Sequence, residues 1–368
     1  MKKTVSLHIN TERTWRGGEK QTLALVEGLN ARGHRAELAC PPGSPLEQRA
    51  RDAGITVHPI KMRGEADVRA ISKLRKLLKE TDYDVCQMHT SHAHALGVLA
   101  RGLRRNPLTI VNRRVDFSIH RRGMFGLNAL KYRHGVDRFI AISHAIRQVL
   151  VDDGIDGDNI EVVHSGVPSM GHGTVDREEI RKSLGITPEH TLIGNVAHLA
   201  GHKGQLHLIE ATALLHERFP HVRTVIVGDG KERETLEKAI AENQLEGIVT
   251  LAGFQKDVAS YLNAFDIFVM PSIMEGLCTS ILDALLSDLP VVGSNTGGIP
   301  EIIRDGETGL LARPGDSEHL AARLAELVES PELGRKLAAA GRAHVESGFS
   351  VDQMVEGTLG VYDRLLEK

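Results

Sequence analysis

Two carboxylates eight residues apart, Glu275 and Asp283, bracket the stretch EGLCTSILD, which follows the apolar run FDIFVMPS. Eight residues is a little over two helical turns, and Gly276 permits a tight turn out of a preceding strand. A helix expected from about Thr279 to Ser287 then offers the N–H groups of Leu277, Cys278 and Thr279 at its amino end. Such an end attracts an anion, whereas a carboxylate accepts hydrogen bonds from hydroxyls. The pattern suits a ligand with phosphates between two diol-bearing groups, one carboxylate for a sugar and the other for a ribose. A capping Glu and a solvated Asp is the plainer reading of this stretch taken by itself.

Three more loops follow expected strands. In RTWRGGEKQ, Gly17 and Gly18 open a helix whose N–H groups can approach an anion, although a plain tight turn accounts for the pair equally well. In VAHLAGHKGQ, Lys203 and Gly204 start another helix, and a lysine beside helix N–H groups suits a diphosphate. In VGDGKE, Gly228, Asp229 and Gly230 allow a close-approach turn, but the full GxGxxG pattern is missing, which argues against a nicotinamide site. His89, His92 and His94 in HTSHAH, and His198 and His202, raise a metal reading. Zinc needs a fixed set of three or four ligands, and His92 and His94 begin an expected surface helix, so no metal site is predicted. The triplets DYD (Asp82 to Asp84) and DGD (Asp156 to Asp158) resemble a metal-binding DxD, but both lie in turns before strands, on the wrong side of the sheet.

The elements that must position these loops alternate along the chain. The runs TVSLHI, AELAC, ITVHPI, DVCQMH, LTIVN, RFIAIS and IEVVH read as strands, with helical stretches such as EKQTLALVEGLNARG between them. SGVPSMGHGTVD has no periodicity and reads as a linker. The alternation restarts with TLIGNVA, VRTVIVG, IVTLAGF, DIFVMPS, LPVVGS and GLLA, and from Ser317 the chain is helical with breaks near Pro331 and Ser347 to Phe349. Alternation of this kind predicts an α/β chain of two Rossmann-like domains with parallel sheets facing across a cleft. The expected division is 1–166, 167–349, and a last segment 350–368. A length of 368 residues agrees with two domains.

Composition narrows the classes. The apolar share of 41% and charged share of 25% are those of a globular protein. Cys40, Cys86 and Cys278 are far apart and sit in or beside apolar segments, which favours buried thiols in a reducing compartment. The start MKKTVSLHIN reads as a first strand rather than a leader, and no run is long enough to span a bilayer. Residues 1–168 hold 27 Lys and Arg against 18 Asp and Glu, a net of +9, while residues 169–368 hold 18 against 30, a net of −12. The basic clusters RGLRRNP, VNRRVDF, HRRG and KYRHGVDR read either as a solvated face or as an attraction to an anionic membrane or acceptor. With 4% aromatic residues and no stacking pattern, nucleic acid is not an expected partner.

Taken together, WRGGEKQTLALVEGLNARGH, IGNVAHLAGHKG, VIVGDGKERETLE, LAGFQKDVASYLNAFDIFVMPSIMEGL and DLPVVGSNTGGIPEIIRDGETGLLARPGD resemble glycosyltransferase family 4, the retaining group 1 transferases of GT-B fold. The resemblance covers almost the whole chain. It implies an N-terminal acceptor domain, a C-terminal nucleotide-sugar domain and a last helix that crosses back to the first domain. It places Lys203 and His198 on the diphosphate, Glu275 on the donor sugar, and the backbone of Gly276, Leu277 and Cys278 on sugar and phosphate. Asp283 would hold the ribose, Gly228 the close turn, Gly253 and Phe254 the base, and Gly17 and Gly18 the phosphates. Arg16, Arg113 and Arg114 are the acceptor-side candidates, with Lys203, Glu275 and Arg114 the catalytic ones.

Three departures from the family pattern stand out. The family's E-x7-E motif ends in Asp283, one carbon–carbon bond or about 1.5 Å shorter. Ala197-His198-Leu199 replaces Gly-Arg-Leu, putting a titratable imidazole where the family has a permanent cation. Arg114 stands where many members carry a histidine. The expectation is a cytoplasmic, metal-independent, hexosyl-type transferase without a cofactor. It would move a sugar from a UDP- or GDP-type donor to a glycan or lipid-linked acceptor in envelope polysaccharide or lipopolysaccharide assembly, with the inner membrane face as a candidate docking surface and domain closure excluding water. A nucleotide-sugar epimerase of the same fold and a non-catalytic nucleotide-sugar binder are the alternatives.

Overall fold

Among the described residues the apolar runs become thirteen strands in two all-parallel sheets. A computed structural model of the chain describes residues 3–116, 118, 132, 135–168 and 173–367. The basic stretch HRRG, positions 131, 133 and 134 of KYRHGVDR, and positions 169–172 of the expected linker lie outside the described residues. The chain divides into two units, one of Met1–Pro168 with Ser350–Lys368 and one of Ser169–Phe349.

In the first unit the strands are β1 Val5–Ile9, β2 Arg35–Cys40, β3 Val57–Pro59, β4 Val85–Met88, β5 Leu108–Arg113, β6 Arg138–Ala141 and β7 Ile160–Val162. Their order is β3-β2-β1-β4-β5-β6-β7. In the second they are β8 Thr191–Val196, β9 Val222–Val227, β10 Val249–Gly253, β11 Ile267–Met270, β12 Val291–Ser294 and β13 Leu310–Ala312, in the order β10-β9-β8-β11-β12-β13. Each sheet reverses its winding once, between β1 and β4 and between β8 and β11. In an open parallel sheet, ligand sites lie beyond the carboxyl ends of the strands at that reversal. The loops after β1, β4, β8 and β11 are therefore the ones the topology favours.

The central strands are buried on both faces, as parallel sheets require. Leu7, Ile9, Leu38, Val85, Met88 and Ile110 have no accessible surface. The helix Gly17–Ala31 contributes Leu25, Val26 and Leu29 to the same core. The last helix, Val351–Leu366, contributes Met354, Val355, Leu359 and Tyr362 to it. Ser350 and Gln353 form a capping box at its start. The contact with the first helix is close because position 28 is glycine: a Cβ there would lie 2.5 Å from Val355 Cγ2. The second unit packs Ile193, Leu208, Ile226, Val269, Val292 and Leu324 around its own sheet.

Gly166 is the point where the strand side of the first unit meets the last helix. Its carbonyl accepts from Gln21 Nε2 at 2.7 Å and its N–H faces Met354 Sδ at 3.4 Å. An added Cβ would stand 2.3 Å from the Ser350 carbonyl oxygen and 2.7 Å from Val351 Cα. Backbone cannot yield as a side-chain tip can. Gly166→Ala is expected to destabilise the first unit by roughly 1–3 kcal/mol. Gly348→Ala, where nothing lies within 4 Å, serves as the control and should be neutral or slightly stabilising. Thermal unfolding of the two variants checks the difference.

Candidate active site

In the second unit, four loops beyond the strand ends are held together mainly by backbone contacts that only glycine permits. After β8 the chain passes through a tight turn at Gly201–Lys203 into the helix Gln205–Arg218. Gly204 has φ +68°, and a Cβ on it would lie 1.9 Å from the Pro271 carbonyl oxygen. The loop after β11 is thereby pressed onto the loop after β8, and Ile273 N donates to His202 O at 2.8 Å. This brings Lys203 Nζ to 2.5 Å from Glu275 Oε2, with Ser272 Oγ donating to the same oxygen at 3.2 Å. Gly297, at φ +54°, braces the Glu275 carbonyl from the β12 side, where a Cβ would lie 1.7 Å away. Gly298 N donates to that carbonyl at 3.3 Å.

The VGDGKE turn approaches from β9. Gly228, at φ +146°, leaves no space for a Cβ against the Ala197 carbonyl, and Gly230 packs on the Leu199 carbonyl and His198 Cε1. Leu199 N in turn donates to Asp229 O at 3.1 Å. His198 is exposed beside this turn, and its carbonyl accepts from Gln205 Nε2 at 3.1 Å. The next loop is tied in by Gly228 N donating to Gly253 O at 2.9 Å, which leaves Phe254 at the end of β10 65% exposed.

The helix following Glu275 runs Thr279–Leu286, with Ile281, Leu282, Ala284 and Leu285 buried. Its N-cap is Cys278 in the left-handed region at φ +56°, a conformation costly for any residue with a Cβ. Leu277 and Cys278 are buried, so neither offers its side chain to a ligand. Burial pushes the Cys278 thiol up to about 12, with Glu275 adding to the rise, so it is neither a nucleophile nor a thiolate ligand at neutral pH. Asp283 is half-buried in the second turn of this helix.

The first unit places its candidates around the start of the helix Gly17–Ala31. Arg16 is the exposed N-cap residue, and the Glu19 carboxylate accepts from its backbone N–H at 2.9 Å. Glu19 is only 3% exposed, and burial raises its pKa. A Cβ on Gly18 would lie 3.9 Å from Arg114 Cδ, so the guanidinium-bearing chain passes directly over the helix end. Arg114 donates to His89 Nδ1 and to Ser165 Oγ, each at 3.4 Å. Its Nε is buried with no hydrogen-bond partner among the described residues. Burial brings Arg114 down to about 10, with Glu19 acting in the opposite sense, so it remains a cation at neutral pH.

Arg113 is placed differently from its neighbour. It is 5% exposed, donates to Tyr132 Oη at 3.0 Å and lies over that ring at 5.7 Å. Successive residues leaving a strand point to opposite sides, and here the first arginine is spent on an internal tyrosine. Gly204 read from the sequence only as a helix start and His89 only as a metal candidate, and the supporting roles of Gly297, Ser272 and Glu19 were not singled out. The glycine pair in SNTGG, directly after a strand, carried a signal that could have pointed to Gly297.

Two family models match this chain. Glycosyltransferase Family 4 matches residues 15–169 and Glycosyl transferases group 1 matches residues 176–344. The chain belongs to glycosyltransferase family 4. EpsD of Bacillus subtilis (strain 168) is 28% identical to this transferase over 308 residues, 80% of each chain. LpsE of Rhizobium meliloti (strain 1021), a lipopolysaccharide core biosynthesis glycosyltransferase, is 32% identical over 179 residues, 49% of this chain and 52% of that one. Among solved structures, Anabaena Alr3699/HepE in complex with UDP and glucose superposes with a TM-score of 0.86 at 20% identity, covering 98% of this chain and 100% of that one. The transferase has the GT-B fold.

The turn at Gly228 gives a direct check on how the loops of the second unit are assembled. Alanine there must either leave φ +146° or displace the Ala197 carbonyl. Gly228→Ala is expected to cost roughly 2 kcal/mol or more, read as a lowered unfolding temperature. A stability equal to the parent protein would show that the loop carrying His198 and Lys203 is not braced in this way.

Proposed function

We propose that this transferase is a retaining, metal-independent enzyme that moves a hexose-type sugar from a nucleoside diphosphate to a glycan or lipid-linked acceptor in envelope polysaccharide or lipopolysaccharide assembly. The observation that carries the reading is the Lys203–Glu275 pair beside the amino end of the helix Thr279–Leu286. One cation, one carboxylate and a set of helix N–H groups in one place match the diphosphate and the hydroxyls of a nucleotide sugar. HepE, of the same fold, was crystallised with UDP and glucose, and LpsE is named for lipopolysaccharide core biosynthesis. UDP is accordingly the first base to try.

In this reading Lys203 turns from Glu275 toward the diphosphate when the donor binds, freeing the carboxylate to accept from sugar hydroxyls. The backbone N–H groups of Gly276 to Cys278 meet sugar and phosphate, Asp283 takes the ribose and the exposed Phe254 lies near the base. His198 adds a second donor to the diphosphate. The bond between the anomeric carbon and the phosphate oxygen breaks, and the acceptor oxygen bonds to that carbon on the same face. The acceptor proton passes to the departing diphosphate. Stabilisation of that leaving group is electrostatic and comes from Lys203 and the helix end. On the first unit, Gly17, Gly18 and Arg114 offer N–H groups and charge to an anionic group, and Arg16 is the acceptor-side candidate.

A surface on the first unit also fits an anionic leaflet. Leu103 is fully exposed between Arg101 and the exposed Arg104 and Arg105, and Leu99 is 48% exposed. The neighbouring helix Val68–Glu80 presents Lys73, Lys76 and Lys79, and its Arg75 donates to the Leu99 carbonyl at 2.8 Å. Among the described residues no helix is long and apolar enough to cross a membrane. Apolar tips within a basic field are the pattern of peripheral attachment. The protein is expected to sediment with vesicles containing anionic lipid and not with neutral ones, and Leu103→Glu should weaken this. Equal binding to both vesicles, or to neither, would remove the membrane part of the reading.

The donor site is tested by thermal shift against UDP, GDP, ADP, CMP and their common sugars, with EDTA present throughout. A ligand at a hundredfold its dissociation constant stabilises by about 2.7 kcal/mol. One nucleotide family should give a shift that Lys203→Ala abolishes, and the same variant should lose about 100-fold or more in kcat. A shift that needs a divalent ion would overturn metal independence. No shift with any nucleotide would favour a non-catalytic partner, and isomerisation of the donor incubated alone would favour an epimerase.

A further inference from the structure

Beneath Arg114 runs a line of buried polar side chains whose proton positions are all determined by the arginine at one end. A guanidinium donates and never accepts. The contact from Arg114 to His89 Nδ1 at 3.4 Å therefore requires a lone pair on that nitrogen. A neutral imidazole with Nδ1 as acceptor carries its hydrogen on Nε2, and His89 Nε2 faces His8 Nδ1 at 3.0 Å. His8 Nδ1 must then accept, so His8 Nε2 carries the hydrogen and donates to Ser6 Oγ at 3.1 Å. The Ser6 hydroxyl is left with its own hydrogen to direct at the Tyr362 phenol. Burial pushes that phenol up, and Ser6 works in the other direction as a donor. Tyr362 donates to Gln87 Oε1, and Gln87 Nε2 donates to Asn112 Oδ1 at 2.5 Å.

Independent observations agree with neutral rings. His8 is fully buried and His89 is 4% exposed. Burial lowers His8 to about 3 and holds His89 well below the usual histidine range, with His8 and Arg114 adding to the effect on His89. An extra proton on either ring would set two hydrogens against each other along the line. The arrangement also has an electrostatic meaning. Both described acceptors of Arg114, an imidazole and a serine hydroxyl, are uncharged. They orient the guanidinium without neutralising it, whereas a carboxylate in the place of His89 would hold it equally well and cancel its charge.

We propose that His89, backed by His8 and Ser6 and anchored to the last helix through Tyr362, is a positioning residue that aims Arg114 while preserving its charge for an anionic substrate group. The inference rests on Arg114 belonging to the reacting centre, and its test separates the two claims. The first measurement needs no substrate. The full chain is labelled with 15N-histidine, and His8 and His89 are assigned from the His8→Gln and His89→Gln variants. At pH 7 both rings are expected to be neutral with the hydrogen on Nε2, and Arg114→Met should let His89 populate its other tautomer. A cationic ring, an Nδ1–H tautomer in the parent protein, or a tautomer unmoved by Arg114→Met would overturn the relay.

The second measurement uses hydrolysis of UDP-glucose, the donor probe suggested above, to follow bond breaking without an acceptor. Asn at position 89 keeps an acceptor where Nδ1 stands, whereas Gln keeps only a group at the Nε2 position. His89→Gln is expected to lower kcat about tenfold with KM little changed, and His89→Asn to stay within about threefold of the parent. Arg114→Lys should lower kcat by itself, and His89→Gln should add nothing in that background. Independent, multiplying effects would overturn the claim that His89 acts through Arg114. An Arg114→Lys variant with full activity would overturn the assignment of Arg114 to the reacting centre, and the tautomer measurement would still decide the relay.

Discussion

Parallel pairing is the constraint on which the rest depends. When every strand of a sheet runs the same way, every carboxyl end opens on one edge, and the loops leaving those ends must share the same space. In the second unit this gathers the segments after β8, β9, β10, β11 and β12, although they span about a hundred residues of sequence. Lys203 and Glu275 are 72 positions apart and meet because β8 and β11 are neighbours. In the first unit the same rule places the ends of β1, β4 and β5 side by side, which is why the helix start at Gly17, His89 and Arg114 converge.

Gathering loops is not enough to make a site, because loops that merely crowd one another fill the space with side chains. Here the crowding is relieved by glycine. At positions 204, 228 and 297 a backbone carbonyl of a neighbouring loop occupies the volume a Cβ would need. The polar groups meant for a ligand, Lys203, Glu275 and the N–H groups of the helix Thr279–Leu286, are thus set on a framework of main chain. Main-chain contacts hold their geometry better than contacts between flexible side chains. At the amino end of that helix Cys278 takes a left-handed conformation without being glycine. Strain of that kind is tolerated where surrounding structure determines it, and such places tend to be functional.

Much of this was legible in the residues. Thirteen apolar, β-branched runs corresponded to thirteen strands because a strand buried on both faces has no polar side to blur the pattern. The helix starts at Gly17, near Gly204 and after Gly276 were visible because glycine and the change of period mark them. What was not legible is any fact that depends on which way a side chain turns after its strand ends. Arg113 and Arg114 are adjacent and chemically identical, yet one is committed to Tyr132 and the other lies over the first helix. His89 read as the end of the strand DVCQMH and as one of the histidines weighed for a metal, while it is buried against His8, 81 positions away. Long-range pairing of this sort leaves no local trace. The basic stretch between Arg101 and Arg138 illustrates the same limit, since charge along a chain does not say which arginines face water.

The return of the helix Val351–Leu366 to the first unit reverses the order in which the two halves can be finished. On a ribosome the chain emerges from its amino end, and domains fold as units once their residues are available. The second unit, Ser169–Phe349, is contiguous and has all of its core before Ser350–Lys368 is made. The first unit begins earlier but lacks Met354, Val355, Leu359 and Tyr362 until the helix Val351–Leu366 has been made. Until then the faces of Leu25, Val26 and Leu29 that meet this helix have no cover, and Ser6 and Gln87 have no phenol between them. The half that is made first is the half completed last, so an interrupted chain would carry a finished second unit attached to an open-sided first one.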